Sequence, residues 1–203
     1  MLFRSASHEL RSPLARIRVA VEMMGGDRPE LRAKVAGDIA ELDELIGELL
    51  LASRLEAVEP IAPQEELDLL GLVAEEAAAA EAEVEGQPVA VRGDPRLLRR
   101  LVRNLVENAR RYGAGSRVEA WVGAVEGRAR LRICDRGPGV PAEERERIFE
   151  PFHRLPAAAA REGAGLGLSL VRQIARRHGG EARCLPREGG GSCFEVDLPL
   201  ATA

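Results

Sequence analysis

Several residue types are scarce in this sequence, and each scarcity excludes something. Only three cysteines occur in 203 residues, Cys134, Cys184 and Cys193. An odd number without CxxC spacing argues against a disulfide framework or a zinc site, so all three are expected as reduced core thiols in a reducing, cytosolic setting. The net charge of −4 carries no basic excess, which excludes an obvious electrostatic footprint for nucleic acid. No uncharged run approaches the ~20 residues of a membrane-spanning helix. Arg4, His8 and Glu9 interrupt the start before any apolar stretch, so no signal peptide is expected. Lys34 is the single lysine among many arginines, a compositional bias rather than a mechanism. What remains is an ordinary soluble composition, 45% hydrophobic and 31% charged, long enough for one large or two small domains.

The first residues are built on a helical repeat. Leu10, Leu14, Ile17, Val21 and Met24 recur at alternating steps of four and three, a coiled-coil-like seam. "GGDRPE" breaks the run, with Gly25 and Gly26 ending one helix and Pro29 opening the next. Leu31, Val35, Asp38, Leu42, Leu45, Leu49 and Ala52 continue the alternation, and Ile39 and Ile46 widen the apolar face. A lone hairpin cannot cover both faces, so pairing with a second copy into a four-helix bundle is expected. "AVEPIAPQEE", residues 57–66, reads as a linker. Domain limits of 1–58 (hairpin), 59–65 (linker) and 66–203 follow. Beyond the linker, residues 69–84 suit a helix, "PVAV" a strand, and Pro95 to Tyr112 a long helix opened by Asp94. "RVEAWVGAV" and "RARLRICD" read as strands around a turn at Glu126 and Gly127. Residues 166–178 suit a further helix, and "EARCL" and "CFEVDLP" two closing strands. Strands mixed with helices in this way predict a two-layer α/β sandwich.

Three stretches in the second domain have residue types suited to chemistry. Asn104 and Asn108 stand one turn apart on one helix face, followed by Arg111 and Tyr112. Amide oxygens are hard ligands suited to Mg²⁺, although buried asparagines also serve local backbone. "ICDRGPGV" ends a strand in Asp135, with Gly137 and Gly139 after it: either a carboxylate beside backbone that admits a planar ring, or a plain Asp-Gly turn. "EGAGLGLSLV" sets Gly163, Gly165 and Gly167, with Leu166 between the last two, before a helix. This loop can cradle phosphates but lacks the GK[ST] ending of a P-loop. Between these sites, "IFEPFHRLPAAAAREGA" joins a Phe149/Phe152 anchor to small residues, as a hinged lid would.

Taken in order, "HELRSPL", "NLVENARRY", "DRGPGV", "FEPFHR" and "GAGLGL" resemble the H, N, G1, F and G2 boxes of bacterial two-component sensor histidine kinases. The resemblance covers nearly the whole chain and implies a multidomain α and α+β architecture. A dimerisation and histidine-phosphotransfer hairpin would precede a Bergerat-fold ATP-binding domain. It implies ATP and Mg²⁺ as cofactors, a homodimer, and a response-regulator receiver domain as partner. By that similarity His8 is the phosphoacceptor, Glu9 its proton acceptor, and Ser12 a residue for dephosphorylating the regulator. Asn108 is the Mg²⁺ ligand, with Asn104 in support where hydrolytic relatives carry glutamate. Asp135 reads adenine, supported by Gly137 and Gly139. Arg111, Arg154, Gly163, Gly165, Leu166 and Gly167 lie near the phosphates, Tyr112 by the base, and Phe149 and Phe152 in the lid. His178 falls at a helix end. Pro13, which lacks the N–H to bond the Glu9 carbonyl, predicts a bend over residues 9–13. Only seven residues precede His8, so the chain is expected to be the cytoplasmic half of a longer sensor anchored in the inner membrane. The alternatives are a dimeric ATP-binding scaffold and a hydrolytic ATPase of the same fold.

Overall fold

The structure is a computed structural model, and it describes residues 14, 16–17, 19–21, 29–56, 64–113, 115–155 and 165–201. The expected features at His8, Glu9, Ser12, Pro13 and Gly163 lie outside the described residues, as do residues 59–63 of the linker.

Helix α1 (Pro29–Glu56) starts at the proline that the sequence singles out, with Glu30 in its first turn. Residues 14, 16–17 and 19–21 are also helical. Arg16 Nε donates to Asp38 Oδ1 at 2.8 Å, which accounts for a carboxylate at a seam position otherwise held by leucine, valine and alanine. Leu45 and Ala52 are buried, whereas Leu14, Val19, Val21, Ile39, Ile46 and Leu50 stay about half exposed in the single chain. No helix among the described residues is long and apolar enough to cross a membrane.

The rest of the chain forms the predicted two layers. β1 (Glu65–Asp68) pairs antiparallel with β3 (Ala90–Gly93), so the strand takes up the last residue of the expected linker. β2 (Glu83–Gly86), β4 (Glu119–Val125), β5 (Arg128–Cys134), β6 (Glu181–Pro186) and β7 (Ser192–Pro199) form one sheet in the order β2-β4-β5-β7-β6. Only the β2–β4 pair is parallel. Helices α2 (Leu69–Ala77), α3 (Pro95–Tyr112) and α4 (Gly167–Arg177) cover one sheet face. Alternation along β5 explains the layering. Ala129, Leu131 and Ile133 point into the core with Val122, Phe194 and Val196. Arg128, Arg130 and Arg132 point the other way and pair with Glu195 and Asp197 of β7.

The expected helix over 69–84 is too long. α2 stops at Ala77, a 3-10 turn covers Ala78–Ala80, and Glu81 adopts φ +50°. Residues 83–86 then join the sheet beside β4, where strand pairing outweighs the helix preference of the alanine run. The hairpin turn is as read: Glu126 and Gly127 have φ of +52° and +74°, the left-handed pair of a two-residue turn. The cysteine expectation fails. Cys134 of β5 and Cys193 of β7 stand directly opposite, Cα–Cα 4.1 Å, and form a disulfide, leaving only Cys184 as a buried free thiol. CxxC spacing carries no information on two cysteines joined by strand register across 59 positions.

Candidate active site

The Asp94 carboxylate accepts from the N–H groups of Arg96 and Leu97 at 2.8 and 3.3 Å, and Pro95 occupies the first turn of α3. His178, at the end of α4, fixes this start from the other side. Its Nε2 accepts the Asp94 N–H at 3.1 Å, and Nδ1 lies 2.7 Å from the Ile174 carbonyl, the arrangement of a ring protonated at Nδ1. Leu98, Leu101, Val102 and Leu105 of α3 are buried, which turns the opposite, asparagine-bearing edge toward a cavity of about 1290 Å³.

Asn104 and Asn108 line that cavity together, with Arg111 and Tyr112 one turn on. Asn104 is buried, and its Nδ2 donates to the Gly167 carbonyl at 3.1 Å, tying α3 to the first residue of α4. Gly165, Leu166 and Gly167 line the same cavity, as does Arg154. Gly165 has φ +76°, and a Cβ there would lie 3.1 Å from the His153 carbonyl oxygen. Leu166, at the N-cap of α4, supplies no side-chain cap, so the first-turn N–H groups need partners from elsewhere.

At the other end, Asp135 is 3% exposed. Its Oδ1 accepts the Gly137 N–H at 2.7 Å, and its backbone N–H donates to the Ser192 carbonyl at 2.9 Å. Burial pushes the Asp135 carboxyl above its ordinary range, opposed by the Gly137 and Ser192 N–H groups and the Arg187 charge. Gly137 itself braces the wall, because a Cβ there would lie 2.2 Å from the Tyr112 carbonyl oxygen. Gly139 lines the cavity.

Phe149 and Phe152 stand behind the cavity wall instead. Phe149 is buried edge-on against Phe194, centroids 6.4 Å apart, with the Arg172 guanidinium 3.9 Å over its ring. Phe152, at φ +62°, donates its N–H to the Gly165 carbonyl at 3.0 Å and packs with Leu166 against Leu45 and Leu49 of α1. Glu48 of α1 adds an ion pair with Arg100 at 2.7 Å. His153 bonds Glu144 at 2.6 Å.

The cavity has contributors that the sequence reading missed. Lys34, Asp38 and Glu48 line it from α1, and Arg187, Gly190, Gly191 and Ser192 from the β6–β7 turn. Arg187 is held by Glu119 at 2.8 and 3.0 Å, and Arg136 binds the same carboxylate at 2.7 Å. Together they draw Glu119 below the usual carboxylate range. The signal for this turn was present as "GGG". Gly189, Gly190 and Gly191 all have positive φ, and a Cβ on Gly191 would lie 2.0 Å from the Asp135 carbonyl oxygen.

Comparison with known proteins bears on the same residues. Residues 93–202 match the family described as histidine kinase-, DNA gyrase B-, and HSP90-like ATPase, and residues 1–58 match the His Kinase A (phospho-acceptor) domain. Sensor protein CutS of Streptomyces coelicolor is 38% identical over 97% of this chain and 51% of its own length. For sensor protein RstB of Escherichia coli the figures are 36%, 98% and 48%. For the signal transduction histidine-protein kinase/phosphatase MprB of Mycolicibacterium smegmatis they are 36%, 94% and 43%. The chain thus spans about half the length of the curated relatives it matches. Among solved structures, Acinetobacter baumannii histidine kinase AdeS has the same fold, with TM-score 0.76 at 22% identity over 96% of this chain and 98% of that one. Full-length ShkA in complex with AMPPNP matches with TM-score 0.68 at 27% identity, over 100% of this chain and 47% of that one. A phosphoacceptor-type segment followed by an ATPase-type domain is thereby established, and the chain belongs to the two-component sensor histidine kinases as their catalytic region.

Proposed function

We propose that the chain binds ATP with Mg²⁺ in the cavity between α3, α4 and α1, phosphorylates His8, and passes the phosphoryl group to an aspartate of a response regulator. The observation that carries this reading is the convergence on one cavity of Asn104 and Asn108, Asp135, and the Gly165–Gly167 start of α4, three stretches far apart in sequence. The residues suit the ligand at both ends. A buried carboxylate beside glycine backbone suits the exocyclic amine of adenine, and an uncapped helix start suits phosphate oxygens. Asn108 would hold Mg²⁺ through its amide oxygen, with phosphate and water completing the shell. When bound, the ion neutralises charge on the transferred phosphoryl group.

The chain's own residues account for the rest of the chemistry. A ring nitrogen of His8 attacks the terminal phosphorus, the β–γ bridging P–O bond breaks, and ADP leaves. Glu9 takes the proton from the other ring nitrogen. Asn104 carries no basic group to activate water, and one of its amide N–H groups is held by the Gly167 carbonyl, which favours transfer over hydrolysis. The exposed apolar stripe of Ile39, Ile46 and Leu50 supports a homodimer formed through the hairpin. Ser12 supports dephosphorylation of the regulator; the relative MprB is named a kinase/phosphatase. In the full-length protein, segments outside this chain supply a membrane anchor.

Incubation with γ-labelled ATP and Mg²⁺ tests the reading. Label should appear on the wild type, resist alkali, yield to acid, and be absent from His8→Gln. Label that persists in His8→Gln overturns the assignment.

A further inference from the structure

We propose that the Cys134–Cys193 disulfide is a reversible redox site that controls the Asp135 edge of the nucleotide cleft. This inference rests on the ATP-binding reading for its functional consequence. Cys134 immediately precedes Asp135, and Cys193 immediately follows Ser192. The bond therefore staples together, one residue away, the two backbones that build that edge. There the Asp135 N–H donates to the Ser192 carbonyl at 2.9 Å, and Gly191 lies too close to the Asp135 carbonyl to admit a Cβ.

The turn on the far side of the staple is built on glycine, closed by two backbone hydrogen bonds between Arg187 and the glycines. Gly189, Gly190 and Gly191 follow one another at positive φ, and glycine has the widest backbone freedom of any residue. The β6–β7 ladder and the Arg187–Glu119 pair hold the turn on one side, the β5–β7 ladder ties its Gly191 end to Asp135, and the disulfide is that second ladder's covalent end. Strand alternation sets the bond on the sheet face away from the helices, where both cysteines are half-buried and within reach of a small reductant. Cys184 stands opposite Phe194, on the helix-covered face, and burial pushes its thiol up to about 11. It is thus a poor partner for disulfide exchange.

A domain that consumes ATP works beside low-molecular-weight thiols and thioredoxin-type dithiols, where a disulfide is a transient, sensing feature and not a permanent one. The reaction is thiol–disulfide exchange with an external dithiol. One thiolate of the dithiol attacks a sulfur of the pair, the other cysteine leaves as a thiolate, and the dithiol's second thiolate resolves the mixed disulfide. Two electrons and two protons pass to Cys134 and Cys193, and the dithiol becomes a disulfide. Oxidation runs the same exchange backwards with an external disulfide.

The test uses the full chain equilibrated with oxidised or reduced dithiothreitol. Mass spectrometry after alkylation reports the linkage, hydrogen exchange reports the Asp135 and Gly137 amides, and calorimetry reports ADP affinity. Reduction should speed exchange at both amides and weaken ADP binding about 5- to 10-fold. Cys184→Ala should keep the response, and the double variant Cys134→Ser/Cys193→Ser should behave as reduced in either buffer. Three free thiols under oxidising conditions overturn the proposal. So does a broken bond that leaves exchange unchanged, or that leaves the affinity unchanged in a chain that binds ADP. Faster exchange on reduction in a chain that binds ADP in neither state upholds redox control of this edge and rejects the ATP-binding reading instead.

Discussion

Replacing Asp135 by asparagine isolates the chemistry at the proposed base-binding end of the cavity. The side chains are nearly the same size, and the site is 3% exposed, so shape is retained. An asparagine amide oxygen in the Oδ1 position still accepts the Gly137 N–H, now 2.7 Å away. Its NH₂ group then occupies the second carboxylate position, so the cleft meets a donor where it had a charged acceptor. Against the exocyclic amine of adenine this loses one hydrogen bond to a charged group and sets donor against donor. Such a bond contributes about 1.5–3 kcal/mol, which converts to roughly a 10- to 150-fold loss of affinity. A purine with a carbonyl at that position should lose far less, so selectivity for ADP over IDP should narrow. Titration calorimetry with both nucleotides, alongside thermal unfolding, measures this. A variant that unfolds like the wild type and binds ADP within about threefold of it would refute the role given to Asp135.

The same carboxyl makes a prediction about stability. Its folded pKa lies above the ordinary aspartate value of 3.8, so between the two the native state holds the extra proton, and stability falls as pH rises through that interval. The stability of wild type minus Asp135→Asn should decline with increasing pH there, and a flat difference would contradict it. Gly93→Ala places a Cβ 2.5 Å from Cδ2 of His178 and 2.8 Å from Cδ1 of Leu98. It should cost about 1–3 kcal/mol and lower the Tm by about 3–12 °C in a thermal scan. Reversing the Arg100–Glu48 pair tests whether the ATP-binding layer rests on α1 in solution, since the two side chains are only 26% and 13% exposed. A double-mutant cycle on unfolding free energy with Arg100→Glu and Glu48→Arg should give a coupling of about 0.5–2 kcal/mol, and zero coupling would exclude the contact.

How legible the fold was depended on whether its cause was local. Asp94-Pro95 marks the start of α3 because capping and a fixed proline φ act within one turn. Glu126-Gly127 marks the hairpin because both positions need left-handed backbone. By contrast β2 lies in a stretch whose alanines favour helix, and only its pairing with β4 makes it a strand. The same holds for the disulfide, which depends on register between β5 and β7. In the candidate site, Asn104, Asn108, Asp135 and Gly165–Gly167 carried motifs that could be read in order. The "GGG" beside Arg187 marked a turn but not its place at the cavity, which follows from the return of β7 alongside β5. The share of the cavity wall given by α1 was equally hidden, because sequence reports the two domains but not how one leans on the other.

His178 has a mechanical consequence. The start of α4 lines the cavity, and its far end is bolted through one imidazole to the first residue before α3. With Asn104 joining the two helices again at Gly167, α3 and α4 form a closed frame pinned at two corners. A frame pinned twice resists shear between its bars. The Phe152 and Leu166 contact with α1 adjoins the Gly167 corner, so it is this frame that α1 rests against.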